Sequence, residues 1–315
     1  MTGMEKEITC YVLTGPTASG KSELAMRLAE EEDMDILCMD SMQIYRRMDI
    51  GTAKPTREDQ KKVPHHLLDI CEPSEAYSVS QYAEAAEKII RELHQRGRKA
   101  LFVGGTGLYL EGMIRGLQFG SVPSDPSLRE KLHRMAAEPG GRELLDQVLR
   151  KLDPETAERL PLNDLRRRIR AIEVSKASGI PFSRQRNKDH GSCFHWIIVS
   201  TQMERTRLYD RINRRVDRMI RDGLRDEVRR LLAEGVPAEA QSMQAIGYKE
   251  MIPCILENLP ENAAAEEIRT RSRHYAKRQM TFLRRISDIH YINPEEPESF
   301  RNIREIMKIN GEKRK

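Results

Sequence analysis

Cysteine is scarce in this sequence, and its spacing does not suit the sites that cysteines usually build. Five cysteines occur in 315 residues, and none of them forms a C-x-x-C pair. This spacing argues against a disulfide framework and against a structural zinc site, so we expect no zinc. We interpret all five as small apolar side chains: Cys10, Cys38, Cys71, Cys193 and Cys254.

Long apolar runs are also missing. No segment approaches the roughly 20 apolar residues that a membrane-spanning helix needs. The N-terminal sequence MTGMEKEITC lacks the apolar stretch of a signal peptide. We therefore expect a cytoplasmic protein with no membrane partner.

Aromatic residues are few and the net charge is small. Aromatic residues make up 5% of the chain, and 54 Lys and Arg against 49 Asp and Glu give a formal net charge of +5. The sign suits an anionic partner, but so few aromatic side chains argue against a continuous platform for stacking single-stranded bases. A folded RNA that is recognised by its shape fits this composition better.

Short apolar runs alternate with helical segments along the N-terminal half. Runs typical of strands buried on both faces occur at residues 8–13, 34–39, 99–103 and 194–200. Helical periodicity occurs between them, at residues 22–30 and 80–94. Strands that alternate with helices predict an α/β fold in which helices flank a parallel sheet.

Residues 15–22, GPTASGKS, match the phosphate-binding pattern G-x-x-x-x-G-K-[ST] at every position. The match lies between a predicted strand and a predicted helix, a context that disfavours a plain glycine turn. In such a loop the backbone N–H groups, the helix N-terminus and Lys21 hold phosphate oxygens, while the Ser22 hydroxyl can ligate Mg²⁺. The sequence therefore predicts a P-loop that binds a diphosphate through Gly15, Thr17, Ala18, Ser19, Gly20, Lys21 and Ser22.

The third and fourth apolar runs are separated by a long stretch with charged helical segments and no convincing strand. We predict a P-loop NTPase-like core domain made of residues 1–115 and 192–315, interrupted by a small all-helical insertion domain at residues 116–191. The chain after residue 205 reads as a helical C-terminal region. We expect the protein to be a monomer.

Hydrolytic P-loop enzymes usually end a later strand with a carboxylate, and that carboxylate is missing here. The third predicted strand ends in GGTG, whereas Asp40 follows the second. Because the carboxyl ends of parallel strands open onto one crevice, Asp40 should face the phosphate loop and could act as a general base on a second substrate. A helix N-cap, or an acid that reaches Mg²⁺ through water, is the alternative.

Two further features have plainer alternatives. Glycines at residues 104–107 allow a ligand to approach the backbone, and Thr106 offers a hydroxyl, but such a turn can equally be only a turn. His65 and His66 suggest a metal, yet adjacent side chains point apart and no third ligand is suitably spaced.

Arginine recurs with helical spacing in the C-terminal region. One helical face would carry Arg207, Arg211, Arg214, Arg218, Arg221 and Arg225. Arg215 lies at the border between this stripe and an apolar face, so its stem can be buried while its planar guanidinium reaches phosphate; we select it as a second diphosphate clamp. For most of the stripe, a solvated face paired with Asp210, Asp217 and Asp222 is an equally good interpretation.

Seven segments resemble, in order and spacing, the bacterial tRNA dimethylallyltransferases. These segments are GPTASGKS, DSMQIYRRMDIGTAKPT, PHHLLDI, VGGTGLYL, DLRRRIRAIEV, IGYKEM and KRQMTFLRR. The resemblance implies that a dimethylallyl group moves from its diphosphate to the exocyclic amine of an adenosine in tRNA. That adenosine would be position 37, just 3′ of the anticodon, in tRNAs that read codons beginning with U. The zinc finger of the eukaryotic relatives has no counterpart in this cysteine pattern.

The same resemblance implies roles for individual residues. Asp40 would be the general base, Arg215 a second catalytic residue on the diphosphate with Lys21, and Ser22 the Mg²⁺ ligand. The residues implied to contact the tRNA anticodon stem-loop are Asp40, Ser41, Met42, Gln43, Thr106, Arg129, Arg166, Arg167, Arg168, Arg170, Gln244, Gly247, Lys249, Lys277, Arg278 and Arg284.

Two other functions remain compatible with the residues alone. A small-molecule kinase could use the same loop for ATP, although the third strand ends without a carboxylate and arginine is abundant. A non-catalytic RNA-binding protein could carry a vestigial loop, although an intact GKS with Asp40 across the crevice argues against it.

Overall fold

The computed structural model describes residues 8–116, 125–185 and 192–312. The strands are β1 (Ile8–Thr14), β2 (Met34–Cys38), β3 (His65–His66), β4 (Lys99–Val103), β5 (Phe194–Thr201) and β6 (Ile289–Ile292). They form one sheet in the order β3-β2-β4-β1-β5-β6, and each neighbouring pair is parallel. The predicted α/β fold with a parallel sheet is confirmed.

Helices cover both faces of this sheet and most of the remaining chain. In order they are α1 (Lys21–Glu32), α2 (Arg57–Lys62), α3 (Val79–Gln95), α4 (Gly107–Arg115), α5 (Pro126–Ala137), α6 (Gly141–Leu152), α7 (Pro154–Arg159), α8 (Leu165–Ser178), α9 (Phe182–Gln185), α10 (Arg205–Arg221), α11 (Leu224–Ala233), α12 (Tyr248–Leu256), α13 (Glu261–Leu283) and α14 (Ser299–Glu312).

The sheet is buried because both of its faces are apolar. On one face, α3 presents Tyr82, Ala86, Ile90 and Leu93, which cluster with β-strand residues such as Phe102. On the other face, α1 and α14 pack on strand residues in a second cluster. Full burial of a large apolar side chain contributes about 1.5–3 kcal/mol, so this central packing holds the carboxyl ends of the strands in place.

Two edge strands were not predicted. In β3, His66 Nε2 lies 2.8 Å from Asp35 Oδ2, and His65 Nδ1 lies 2.8 Å from the Val63 carbonyl. Both histidine side chains therefore make hydrogen bonds within the protein at the edge strand β3. Among the described residues, no group of three or more His, Cys, Asp or Glu side chains is placed to hold a metal ion. Strand β6 lies in a region that the sequence predicts to be helical. It was not predicted because only its pairing with β5 marks it as a strand.

The chain divides into two compact units, Met1–Ile114 with Ser192–Lys315, and Arg115–Gly191. The first unit contains the sheet. The described residues of the second unit form helices α5 to α9 and no strand. Its core is built from side chains of α5, α6 and α8, including Leu132, Leu145, Leu149, Ile169 and Ile172.

One interpretation of the cysteines is wrong. Four of them are buried, but Cys193 is exposed and is not an apolar core side chain.

Within the described ranges, none of the helices combines the length and the apolarity that crossing a bilayer requires.

Candidate active site

The phosphate loop joins β1 to α1, and its backbone requires glycine at both ends. Gly15 and Gly20 have φ values of +142° and +86°, a region that side chains rarely adopt. A Cβ at Gly15 would lie 2.0 Å from Oγ1 of Thr201, at the end of β5. Ser19 Oγ lies 2.6 Å from the same Thr201 oxygen. The end of β5 therefore holds the loop in shape.

Two of the loop amides are already engaged within the protein. The Thr17 N–H donates to Gln279 Oε1 at 2.8 Å, and the Ser19 N–H donates to the Pro16 carbonyl at 3.3 Å. At the start of α1, by contrast, no described residue accepts a hydrogen bond from the backbone N–H groups of Gly20, Lys21 and Ser22. Unpaired amides at the positive end of a helix are suited to phosphate oxygens.

Lys21 folds back over this loop. Its Nζ donates to the Pro16 carbonyl at 3.2 Å, which leaves two ammonium protons for a ligand. Burial lowers the pKa of Lys21 to about 8, the positive charge of Arg215 adds to this shift, and the Asp40 carboxylate opposes it. Lys21 is therefore within electrostatic reach of both residues that were selected for catalysis.

Asp40 lies just beyond β2, at the same edge of the sheet. Its Oδ1 accepts from the Met42 N–H at 2.9 Å, while Oδ2 has no hydrogen-bond partner in the described chain. No helix begins after Asp40, which removes the N-cap alternative. Thr106, at the end of β4, accepts from the Ser41 N–H at 3.0 Å and ties the two strand ends together. The structure thus places a carboxylate with one unpaired oxygen beside the phosphate loop.

Two arginines of α10 reach the crevice. Arg215 Nη2 donates to the Thr52 carbonyl at 3.2 Å; burial lowers the pKa of Arg215, and Asp40 opposes that shift. Arg211, one turn earlier, donates from Nε to the Ala18 carbonyl at 2.8 Å and lies over Gly20. Arg211 belongs to the arginine stripe, and its sequence position alone does not assign it to the diphosphate. Its i, i+4 relation to Arg215 could have revealed it, because such residues share a helix face.

Gln279 was also missed, since one glutamine among the basic residues of α13 breaks no pattern. It is buried, and besides accepting from Thr17 it donates from Nε2 to the Gly105 carbonyl at 2.9 Å. A Cβ at Gly105 would lie 2.1 Å from that Nε2. Gln279 therefore bridges the phosphate loop and the glycine turn after β4. Part of the glycine turn is explained by this close contact.

A buried carboxylate anchors the loop that follows Asp40. Glu227 of α11 accepts from the backbone N–H groups of Asp49 and Ile50, both at 2.9 Å, and of Gly51 at 3.2 Å. The Tyr248 hydroxyl donates to the same carboxylate. The next residue, Thr52, offers the carbonyl that Arg215 and Gln43 bind. Much of the segment DSMQIYRRMDIGTAKPT is thus a scaffold for the crevice.

The residues implied to contact tRNA fall into different environments. In the first unit, Gln244, Lys249, Lys277, Arg278 and Arg284 are exposed. In the second unit, Arg166 and Arg167 are exposed on α8, while Arg129 and Arg170 both form ion pairs with Glu173.

Two of these residues are buried. Arg168 is 2% exposed, and its guanidinium binds Asp146 and three backbone carbonyls, of Ala157, Leu160 and Pro161. These contacts take up four of its five N–H groups and hold the second unit together. Gly247 is buried at the start of α12, where its N–H donates to Glu250 and its φ is +103°. It is a turn residue.

Comparisons with known proteins point to one family. A family model described as IPP transferase matches residues 43–286. The tRNA dimethylallyltransferase of Pelotomaculum thermopropionicum is 44% identical over 94% of both chains. That of Shouchella clausii is also 44% identical, over 91% of this chain and 92% of the relative.

Solved structures give the same result. The full-length tRNA isopentenylpyrophosphate transferase from Bacillus halodurans is 38% identical with a TM-score of 0.70, over 97% of this chain and 96% of that one. A eukaryotic dimethylallyltransferase, in a structure described as acting on tRNA, is 25% identical with a TM-score of 0.81, over 96% of this chain and 79% of that one. These names favour a prenyltransferase over the small-molecule kinase. The resemblance noted in the sequence is confirmed, and this chain belongs to the tRNA dimethylallyltransferase family.

Proposed function

We propose that this protein transfers a dimethylallyl group from dimethylallyl diphosphate to the exocyclic amine of an adenosine in tRNA. The acceptor is the adenosine at position 37, immediately 3′ of the anticodon, in tRNAs that read codons beginning with U. The observation that carries the proposal is the position of the Asp40 carboxylate. It has one unpaired oxygen and lies beside the phosphate loop, at the carboxyl ends of the strands.

The leaving group is stabilised by the groups around the phosphate loop. When the allylic C–O bond breaks, its electron pair stays on the diphosphate, where negative charge increases. The free amides at the start of α1, Lys21, Arg211 and Arg215 are all positioned on this side of the crevice. Donors that are already oriented toward developing charge are usually the largest single contribution to catalysis.

The attacking nitrogen needs a base, because the lone pair of an adenine amine is delocalised into the ring. As the N–C bond forms, the amine proton passes to Asp40 Oδ2, while Oδ1 stays fixed by the Met42 N–H. Thr106 holds the adjoining turn through Ser41. General-base catalysis of this kind contributes about 10²- to 10⁴-fold.

The residues present also fit a magnesium ion. The Ser22 side chain is exposed, and within the described residues its hydroxyl makes no hydrogen bond. In phosphate loops of this pattern the Ser or Thr hydroxyl ligates Mg²⁺ together with substrate phosphates and water, so Ser22 would hold the ion with the diphosphate. When bound there, the ion would neutralise charge on the leaving diphosphate.

The tRNA contacts are assigned to exposed side chains, most of them basic. In the first unit these are Lys277, Arg278 and Arg284, with Gln244 and Lys249; in the second unit they are Arg166 and Arg167. Contacts of this kind to phosphates position an RNA without reading its bases.

The test is transfer of labelled dimethylallyl diphosphate into unmodified tRNA in the presence of Mg²⁺. We expect label in tRNA with adenosine at position 37 and none when guanosine replaces it. Asp40→Asn should lower kcat by about 10²- to 10⁴-fold and change the KM for dimethylallyl diphosphate little.

Asp33→Asn is the matched control, because Asp33 is exposed at the end of α1, at the opposite edge of the sheet. It should transfer at the wild-type rate. Absence of transfer by the wild-type protein, with ATP consumed on a small acceptor instead, would overturn the proposed function. Unchanged transfer by Asp40→Asn would remove only the assignment of the base.

A further inference from the structure

A groove on the surface of the first unit lies between α10 and α13, outside the crevice described above. Its volume is about 480 Å³. The side chains that line it are Arg214, Asp217, Arg218, Ile220, Arg221, Asn262, Ala265 and Arg269. Four arginines and one aspartate among eight lining residues make it strongly basic.

Most of this positive charge has no counterion. Arg269 forms ion pairs with Asp217 and Glu266. Across the ranges that the structure describes, Arg214, Arg218 and Arg221 form no ion pair. The solvated-face interpretation expected Asp210, Asp217 and Asp222 to neutralise this stripe, but of the three only Asp217 forms an ion pair among the described residues, and its partner is on α13.

The groove continues a line of charge that starts at the phosphate loop. Arg211 contacts that loop, and Arg218 follows seven residues later on the same helix. At 1.5 Å per residue this is about 10 Å along the axis. The positive charge of Arg218 also acts on Arg215, the clamp residue. An anionic polymer that enters the crevice can therefore meet further positive charge along α10.

The lining also indicates which part of such a polymer fits. Arginine forks match phosphate oxygens, and no aromatic side chain lines the groove for base stacking. Arg214, Arg218 and Arg221 are spread along the helix, which suits repeated phosphates better than one compact anion.

We propose that Arg214, Arg218 and Arg221 form a phosphate-backbone subsite for the tRNA substrate, separate from the diphosphate site. The subsite rests on the proposed function only in taking tRNA as its ligand. It fixes the position of the RNA and contributes no base recognition.

The experiment measures equilibrium binding of unmodified tRNA at several KCl concentrations, without dimethylallyl diphosphate. The logarithm of the affinity falls as the logarithm of the salt concentration rises, and each phosphate contact adds about 0.7–0.9 to the steepness of this slope. Arg218→Gln combined with Arg221→Gln should reduce the slope by roughly twice that amount and weaken binding about 5- to 8-fold per arginine at 0.1 M salt. Substitution of both by lysine keeps the charge and should retain most of the slope.

Arg96→Gln is the control, because Arg96 is exposed at the end of α3, beside the amino end of β4, and forms no ion pair among the described residues. A glutamine double variant with the slope of Arg96→Gln would overturn the subsite. So would a parallel increase in its KM for dimethylallyl diphosphate, which would assign these arginines to the leaving group. Because the slope comes from binding alone, it is independent of the transfer assay that tests the proposed function.

Discussion

Single residues in the crevice act through contacts that orient them before a ligand arrives. Arg211 is the clearest case, because one of its N–H groups is bound to the Ala18 carbonyl, while the rest of its guanidinium lies over Gly20. Arg215 is oriented in the same way by the Thr52 carbonyl. A guanidinium held at one end loses less rotational freedom when its remaining donors bind phosphate.

Arg211→Gln should therefore weaken diphosphate binding. Hydrogen bonds to charged groups contribute about 1.5–3 kcal/mol, so we expect the KM for dimethylallyl diphosphate to rise about 10- to 100-fold. Arg211→Lys should recover part of this loss, because it keeps the charge without the planar fork.

The control for Arg211 is Arg207→Gln, one turn earlier on the same face, since the exposed Arg207 side chain makes no hydrogen bond in the described structure. Steady-state kinetics at saturating tRNA checks the prediction. Equal KM values for the Arg211 and Arg207 variants would show that Arg211 does not bind the diphosphate.

At the scale of elements, two helices from the C-terminal region hold the loops at the sheet edge. α13 delivers Gln279 to the phosphate loop and to the turn after β4. α11 delivers Glu227 to residues 49–51, and this loop in turn positions Arg215. Neither helix belongs to the local strand-loop-helix motif, yet each determines the geometry of its loops.

Gln279→Ala tests the first of these supports. It leaves the Thr17 N–H and the Gly105 carbonyl without their partner, at a cost of about 1–3 kcal/mol for each group that stays unpaired. We expect a lower free energy of unfolding together with a higher KM for dimethylallyl diphosphate. Gln279→Glu keeps an acceptor for Thr17 but loses the donor to Gly105, so it should also be impaired.

Chemical denaturation and kinetics measure both effects of Gln279→Ala. Gln95→Ala, at the exposed end of α3, is the control and should resemble the wild type. A stability loss without any change in KM would mean that Gln279 supports the fold and leaves the phosphate loop unaffected.

A graded series of variants at Tyr248 and Glu227 tests the second of these supports. Tyr248→Phe removes one donor to the carboxylate and should cost about 1.5–3 kcal/mol of stability, the usual contribution of a hydrogen bond to a charged group. Glu227→Ala leaves three backbone N–H groups and the Tyr248 hydroxyl unpaired and should cost about 3 kcal/mol or more.

Activity should follow the same order, because Thr52 and Arg215 depend on this loop. Thermal unfolding and single-turnover transfer check the series, with the exposed Glu257→Ala as control. If Glu227→Ala matched the control in both assays, the anchor would have no role in stability or catalysis.

Across the molecule, both units carry exposed positive charge, and the second unit also buries one arginine in its core. In the first unit, exposed basic residues surround the crevice and line the groove. In the second unit, three consecutive arginines on α8 divide between solvent and core. Arg166 and Arg167 are exposed, whereas Arg168 is buried and binds four protein acceptors.

These arginines should respond oppositely to neutralisation. Arg166→Gln with Arg167→Gln should weaken tRNA binding, reduce its salt slope and leave the melting temperature nearly unchanged. Arg168→Gln should lower stability by about 3–5 kcal/mol, because it leaves buried acceptors unpaired. Binding titrations and calorimetry on both variants test this division. Normal stability of Arg168→Gln with reduced tRNA affinity would restore Arg168 to the RNA-contacting set.

The features that depend on neighbouring residues could be predicted from the sequence alone. The buried strands, the phosphate loop between β1 and α1, and the arginine stripe of α10 are encoded in short contiguous stretches, because apolar periodicity and loop chemistry act locally. The family resemblance is carried in the same way, by short segments in order.

Which residues share a site, and which are removed from it, became clear only once the packing of distant elements was known. Gln279 meets Thr17 across 262 positions of chain, and Glu227 meets Gly51 across 176. Arg168 and Arg167 are neighbours in sequence but differ in burial, since adjacent residues on a helix point in different directions. Such contacts depend on how elements pack, and periodicity along one segment carries no information about its distant partner.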